Sequence, residues 1–317
     1  MPTTVVGLAS GDIRDVWGWM GGNMRVGLLA PQGWKGEYDG WAPADAWART
    51  IELAEHAEAA GFEALWVFDH FHTVPRPTDE ITFESFSVLA ALAMVTKRVR
   101  LGHMVICAGF RNPALTAKLA STLDVISGGR FELGIGAGWK KEEWLAYGYG
   151  FPTIGERMGA LGDQLEIISA MLAPGRATYD GPYHHVREAI NNPAGLQQPR
   201  MPIIVGGNGP QVTAGFAIRY ADELNFVFLT TDEVATRMAA VRQRCAAEGR
   251  DPATLRFSMY VLDEGMRHAG QERIDTLAGF VETGLDRIVC FPTRWSPTVE
   301  AQAGFAEDCR AAGVELA

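Results

Sequence analysis

Apolar residues fall into two alternating patterns along this chain. Short continuous runs of strand composition occur at Arg25 to Leu29, Ala64 to Phe68, Val99 to Ile106, Phe131 to Ile135, Pro202 to Val205, Leu224 to Phe228, Arg256 to Leu262 and Arg287 to Phe291. Between them lie longer stretches in which apolar positions recur with a helical period, such as Trp47, Ile51, Ala54 and Ala57. Pro43 starts that first helix and Gly61 ends it, as a first-turn proline and a C-terminal glycine should. Further helices are predicted over 83–96, from Arg111-Asn112-Pro113 to Ile126, and over 154–172, 211–220, 231–248, up to Gly284, and over 300–312. Residues 173–200 are rich in Pro, Gly and His and read as an insertion, with a hairpin strand at Tyr183 to Val186.

Continuous apolar strands are what a sheet covered on both faces requires. Eight strand-helix units in strict alternation, with no polar linker between halves, predict an α/β fold of the (β/α)8 TIM-barrel type. Its insertions should lie on the C-terminal face. The first 23 residues lack both a basic start and an apolar h-region, so they are not a secretory signal. They read as a loosely attached extension, with one barrel domain over 24–317.

Composition narrows the class. The chain has 317 residues, 47% of them hydrophobic, enough for one large core. Net charge is -10 and no Lys/Arg-rich run occurs, which argues against a nucleic-acid partner. No apolar run is long enough for a membrane helix. Cys107, Cys245, Cys290 and Cys309 are widely spaced without a C-x-x-C, which fits a reducing cytoplasm and no structural zinc.

The candidate chemistry sits at strand ends. The stretch Gly128 to Glu143, GGRFELGIGAGWKKEE, runs strand, glycine-rich bend, helix start. Gly134, Gly136 and Gly138 give G-x-G-x-G, not the G-x-G-x-x-G of a dinucleotide site. They either let a ligand approach the backbone or serve tight barrel packing. Asp69-His70-Phe71-His72 ends the second strand. It is a weak metal motif, a polar strand cap, or a functional pair in which Asp69 accepts from a cofactor ring and His70 moves a proton, as imidazole is suited to do. Gly206-Gly207-Asn208-Gly209-Pro210-Gln211 leads into a helix and reads either as an anion cradle or as an ordinary turn. Trp34, Trp41, Trp66, Trp139 and Trp144 lie at or near strand ends or loops on the presumed active face, where aromatics suit a planar ligand.

Four segments in order carry a resemblance: Trp66-Val-Phe-Asp69-His70-Phe-His72; Arg111-Asn112-Pro113-Ala114; Thr122 to Arg130 with Gly134-Ile-Gly-Ala-Gly-Trp139; and Gly206-Gly-Asn-Gly-Pro210 with Ala221-Asp222. Together they resemble the luciferase-like monooxygenase superfamily over residues 25–290, and within it the coenzyme F420-dependent oxidoreductases. The resemblance implies hydride transfer between a deazaflavin and a small organic substrate, with His70 and Asp69 catalytic. The alternative it leaves open is a two-component monooxygenase using reduced FMN and oxygen. A barrel that binds a flavin without turnover is the reading from outside the enzyme classes. The resemblance also implies a bulge at Met104, Val105 and Ile106, often with a non-proline cis peptide, supporting the ring. Gly136, Ala137 and Gly138 would line the cofactor site, and Gly207, Asn208, Gly209, Pro210 and Gln211 would hold its phosphate. Trp139 and His72 would face the substrate. Trp139 stands where the sugar-phosphate dehydrogenases of this branch are acidic, so a sugar phosphate is not a safe expectation. Lys140 and Lys141 either meet an anionic cofactor tail or form a solvated face. The expected partners are a small-molecule substrate and a second copy of the chain in a homodimer, with no metal.

Overall fold

Eight parallel strand positions close on themselves. The computed structural model describes residues 24–262, 266, 268–291 and 298–316. The expected 1–23 extension lies outside them. In chain order the barrel strands are β1 (Arg25–Leu29), β2 (Ala64–Val67), β3 (Arg100–His103) with β4 (Ile106–Cys107), β5 (Phe131–Gly136), β8 (Ile203–Gly206), β9 (Glu223–Val227), β10 (Arg256–Tyr260) and β11 (Arg287–Cys290). Each pairs in parallel with its neighbours, and β1 pairs with both β2 and β11, which closes the ring. The predicted barrel is therefore the observed one.

Helices cover the strands: α1 (Pro43–Ala60), α2 (Ser85–Val95), α3 (Pro113–Ile126), α4 (Lys141–Ala146), α5 (Ile154–Leu172), α6 (Val212–Tyr220), α7 (Thr231–Ala247), α8 (Gln271–Glu282) and α9 (Val299–Ala311). Their ends follow local chemistry. Gly61 closes α1 in the left-handed region at φ 92°. The Asn112 side chain accepts from the amides of Ala114 and Leu115 at the start of α3. Thr153 with Glu156, and Thr230 with Glu233, form capping boxes on α5 and α7.

Two expectations needed revision. The third strand is not continuous: β3 and β4 are separated by Met104 and Val105, which are joined by a cis peptide, at the bulge the resemblance implied. The insertion contains a two-stranded antiparallel ribbon, β6 (Arg176–Asp180) and β7 (His185–Ile190), so Tyr183 belongs to its turn and not to a strand. The ribbon leaves from the C-terminal end of α5 and runs back along that helix, where Tyr183 packs over Gly159. It connects α5 to β8 and is not one of the loops that follow a barrel strand.

The barrel interior is layered. At the end where strands begin, buried Arg287 is paired with Glu63 at 2.8 Å, Glu132 at 2.9 Å and Glu223 at 3.3 Å. Arg100 joins through Glu132, and Arg256 reaches Glu223 at 3.4 Å. Trp66 lies over the Arg287 guanidinium at 4.8 Å. A side chain at Gly27 or Gly102, on the flanking strands, would collide with that indole, which explains both glycines.

Candidate functional site

At the other end the strands open into a cavity of about 340 Å³. Its wall includes Trp34, Phe68, Asp69, His70, the bulge residues Met104, Val105 and Ile106, Gly136, Ala137, Gly138, Trp139 and Gly207. The strand ends or following loops of β1, β2, β4, β5, β8, β9 and β10 contribute to it, as parallel strands in a closed ring dictate.

Gln32 fixes the loop after β1 against the second strand. Its side chain accepts from the Phe68 amide at 2.7 Å and donates to the Phe68 carbonyl at 3.1 Å. Trp34 is thereby placed beside His70, and the two rings stack at 4.5 Å, 7° apart. Trp139 meets His70 edge-on at 5.8 Å.

His70 Nδ1 lies 2.7 Å from Glu143 Oε2, and Glu143 Oε1 accepts from the Phe71 amide at 2.6 Å. Glu143 is fully buried. A carboxylate has no hydrogen to give, so the imidazole carries its hydrogen on Nδ1 and keeps Nε2 for exchange. Glu143 was not anticipated as a site residue. It comes from the first turn of α4, and only the folded arrangement of two loops shows that it meets His70.

Asp69 does not face the cavity as a free acceptor. Its carboxylate takes both arms of Arg111, at 2.7 and 2.8 Å, the Cys107 amide at 2.9 Å and the Ser85 hydroxyl at 2.9 Å. Burial alone would raise its pKa; the Arg111 guanidinium reverses that and holds the carboxyl below the usual range. The expected role as ring partner therefore gives way to a tie that fixes the β4 backbone to the end of β2. A fully occupied carboxylate is a poor acceptor for anything else.

The glycine-rich bend serves packing first. A side chain at Gly136 would come within 2.9 Å of Val105, one at Gly206 within 3.0 Å, and one at Gly134 would strike the His103 carbonyl. The absence of those side chains lets the bulge press inward, and Val105 remains partly exposed on the cavity wall. These contacts are those of the packing reading of the glycines.

The expected phosphate cradle divides. Gly207 lines the cavity, whereas Asn208, Gly209, Pro210 and Gln211 do not. The Asn208 side chain is used in the fold: it donates to the Val227 carbonyl at 2.8 Å and accepts from the Val227 amide at 3.0 Å. What remains is the start of α6, where Gln211 makes no side-chain cap and Thr213 stands beside Gly207 and Gly209 on the wall. His72 also departs from expectation. It is absent from the wall, and its Nδ1 turns to the Thr73 carbonyl at 3.0 Å. Lys140 lines the cavity and donates to the Pro75 carbonyl at 3.1 Å.

The sequence profile described as luciferase-like monooxygenase matches residues 24–264. The chain belongs to the luciferase-like monooxygenase family. Members with assigned activities differ in chemistry. A pyrimidine monooxygenase, RutA of Stutzerimonas stutzeri, is 30% identical over 256 residues, which is 76% of this chain and 69% of that protein. An F420-dependent glucose-6-phosphate dehydrogenase of Kineococcus radiotolerans is 30% identical over 230 residues, 69% of this chain and 63% of its own length. Among solved structures, an F420-dependent secondary alcohol dehydrogenase in complex with an F420-acetone adduct superposes with a TM-score of 0.75 at 21% identity, covering 92% of this chain and 99% of that one. That likeness speaks for the shared barrel. Among the described residues no helix is long and apolar enough to cross a membrane.

Proposed function

We propose that this protein is an F420-dependent oxidoreductase that passes a hydride between the deazaflavin and a small organic substrate. The observation that carries the reading is the His70–Glu143 pair at 2.7 Å in an aromatic cavity beside the Val105 bulge. Moving a hydride to or from carbon requires a proton to move at the neighbouring oxygen, and this pair is built to hold one. F420, when bound, supplies the two-electron redox chemistry; the protein supplies orientation and proton handling.

The residues present fit such a group. Val105, packed against Gly136 and Gly206, offers an apolar shelf with Met104 and Ile106. The α6 start beside Gly207, Gly209 and Thr213 suits a phosphate, because first-turn amides and the helix dipole favour negative charge. His70 would give or take the proton at Nε2. Glu143 holds the imidazole in the tautomer that leaves Nε2 free, and Trp34 and Trp139 limit water at the ring. Asp69 acts through Arg111 and the Cys107 amide, as a positioning residue for the bulge.

The preference for F420 over FMN rests on the Asp69-His70 and Gly209-Pro210-Gln211 patterns, which resemble the deazaflavin branch. Titration with each cofactor, and turnover with each reduced cofactor with and without air, tests it. F420 should bind more tightly and support oxygen-independent turnover. Tight FMN binding with oxygen-dependent product, and no F420 binding, would overturn it in favour of the monooxygenase reading.

A further inference from the structure

Glu143 reaches His70 from a helix too short to hold itself in place. α4 has 6 residues, under two turns, and its N-cap residue Lys140 makes no side-chain cap. An isolated helix of that length is marginal in water even for the best helix-forming sequences. Yet Glu143 is fully buried and meets two partners, His70 Nδ1 at 2.7 Å and the Phe71 amide at 2.6 Å. Its position must be set from outside α4.

The next residue makes that contact. Trp144 is buried with Cys107 and Phe110 in a small apolar cluster distinct from the main core, with Phe71 and Phe151 packed against it. Its ring lies 5.3 Å from Phe110 and, edge-on, 5.7 Å from Phe151. Two glycines make the seat for the indole. Gly109 lies in the single-turn helix Ala108–Phe110 after β4, and Gly138 lies in the bend after β5, at φ 76°. A side chain at Gly109 would collide with the indole. One at Gly138 would strike Cys107 Sγ and come within 3.0 Å of the indole. The segment that carries Gly109 continues directly from the Val105 bulge, and Asp69 fixes its Cys107 amide at 2.9 Å. The indole therefore joins the bulge to the helix that carries Glu143.

We infer that Trp144 is the positioning residue of the proton pair: seated against Gly109 and Gly138, it sets the Glu143 carboxylate on His70 Nδ1 and registers the pair against the bulge. This rests on the reading above in giving His70 the proton step. Trp144 acts through Glu143 and takes no part in the step itself. A phenyl ring in its place fills the seat only partly, and α4 loses the contact that orders it. His70 then loses its fixed acceptor at Nδ1, and the neutral imidazole divides between its two tautomers.

The test reads the His70 ring nitrogens by NMR in the cofactor-free full chain carrying isotope-labelled histidine, at a pH where the ring is neutral. The His70 signals are those missing from His70→Ala. Wild type should show hydrogen on Nδ1 alone. In Trp144→Phe the two nitrogen resonances should move toward each other, as a mixture of tautomers requires, with the barrel folded because the cluster is distinct from the main core. Should Trp144→Phe not fold, Gly109→Ala, which crowds the intact indole from its seat, is read in its place with the same result expected. Phe305→Leu, a core change on α9, should leave the His70 signals as in wild type. On a Glu143→Gln background, Trp144→Phe should add no further shift, because it acts only through that carboxylate. Unmoved His70 signals in the variant read would overturn the inference. So would the same shift in Phe305→Leu, or an added shift on the Glu143→Gln background. Failure of F420 to bind, or unchanged turnover in His70→Ala, bears on the proposed function alone, since these spectra are taken without cofactor or turnover.

Discussion

The two ends of this barrel solve the problem of buried polarity in opposite ways. Where the strands begin, Arg287, Arg100 and Arg256 interlock with Glu63, Glu132 and Glu223. Burial alone would push the Glu132 carboxyl up; Arg287 and Arg100 more than reverse it and hold it well below the usual carboxylate range. Where the strands end, the wall is aromatic, and Trp34 Nε1 and Tyr260 Oη face no protein acceptor among the described residues. The closed end spends its polar groups on one another. The open end instead places the His70–Glu143 pair between the aromatic walls of a cavity. The difference separates what stabilises the barrel from what gives it chemistry.

The largest effect that can break this division is at His70. His70→Ala should lower turnover by about 10²- to 10⁴-fold with the fold intact, and Glu143→Gln should lower it as well, because one amide oxygen cannot accept from both the Phe71 amide and His70 Nδ1. Unchanged turnover in His70→Ala with cofactor bound would take His70 out of the mechanism. Next is Arg287→Met, which leaves buried carboxylates without their central cation. It should cost about 3–5 kcal/mol of stability in denaturant unfolding. If instead stability held and cofactor binding fell, the two ends would not be separable.

The smallest effect concerns His103, buried between the ends against Phe86 at 4.3 Å and Phe131 at 5.8 Å. Burial lowers its pKa to about 3, with Asp69 opposing and Arg111 reinforcing the shift. The unfolded chain therefore binds a proton that the folded protein refuses between about pH 6.5 and pH 3. Stability from this group is complete above about pH 6.5 and declines by about 1.4 kcal/mol per pH unit below it. His103→Leu should flatten that decline in melting curves taken between pH 7 and pH 5. An unchanged slope would assign the acid loss to other groups.

The barrel was legible because hydrophobic pattern and turn chemistry agreed. The α5 limits, Ile154 and Leu172, follow from its period and the Thr153 cap. The bend at Met104 and Val105 was not legible from pattern, since Val99 to Ile106 is apolar throughout; only the resemblance pointed there. His70 and Trp139 could be marked as candidates because they end strands. Their partners could not. Glu143 reads as one more acid in a helix's first turn, and Arg111 as part of a helix start, until closure brings separate loops together. Asp69 illustrates the converse: a carboxylate beside a candidate base looks available in sequence, yet the fold has claimed both of its oxygens.

The contact of Val105 with Gly136 and Gly206 also bears on how such a protein can diverge. A larger residue at either glycine meets Val105, and a larger residue at position 105 presses toward both glycine-containing strands. That wall is therefore locked against change one residue at a time, and descendants of this chain that acquire new substrates must do so by altering the facing side, at Trp34, Phe228 and Tyr260, where no such interlock exists among the glycines. A library for new specificity belongs on those three positions, with 105, 136 and 206 left alone.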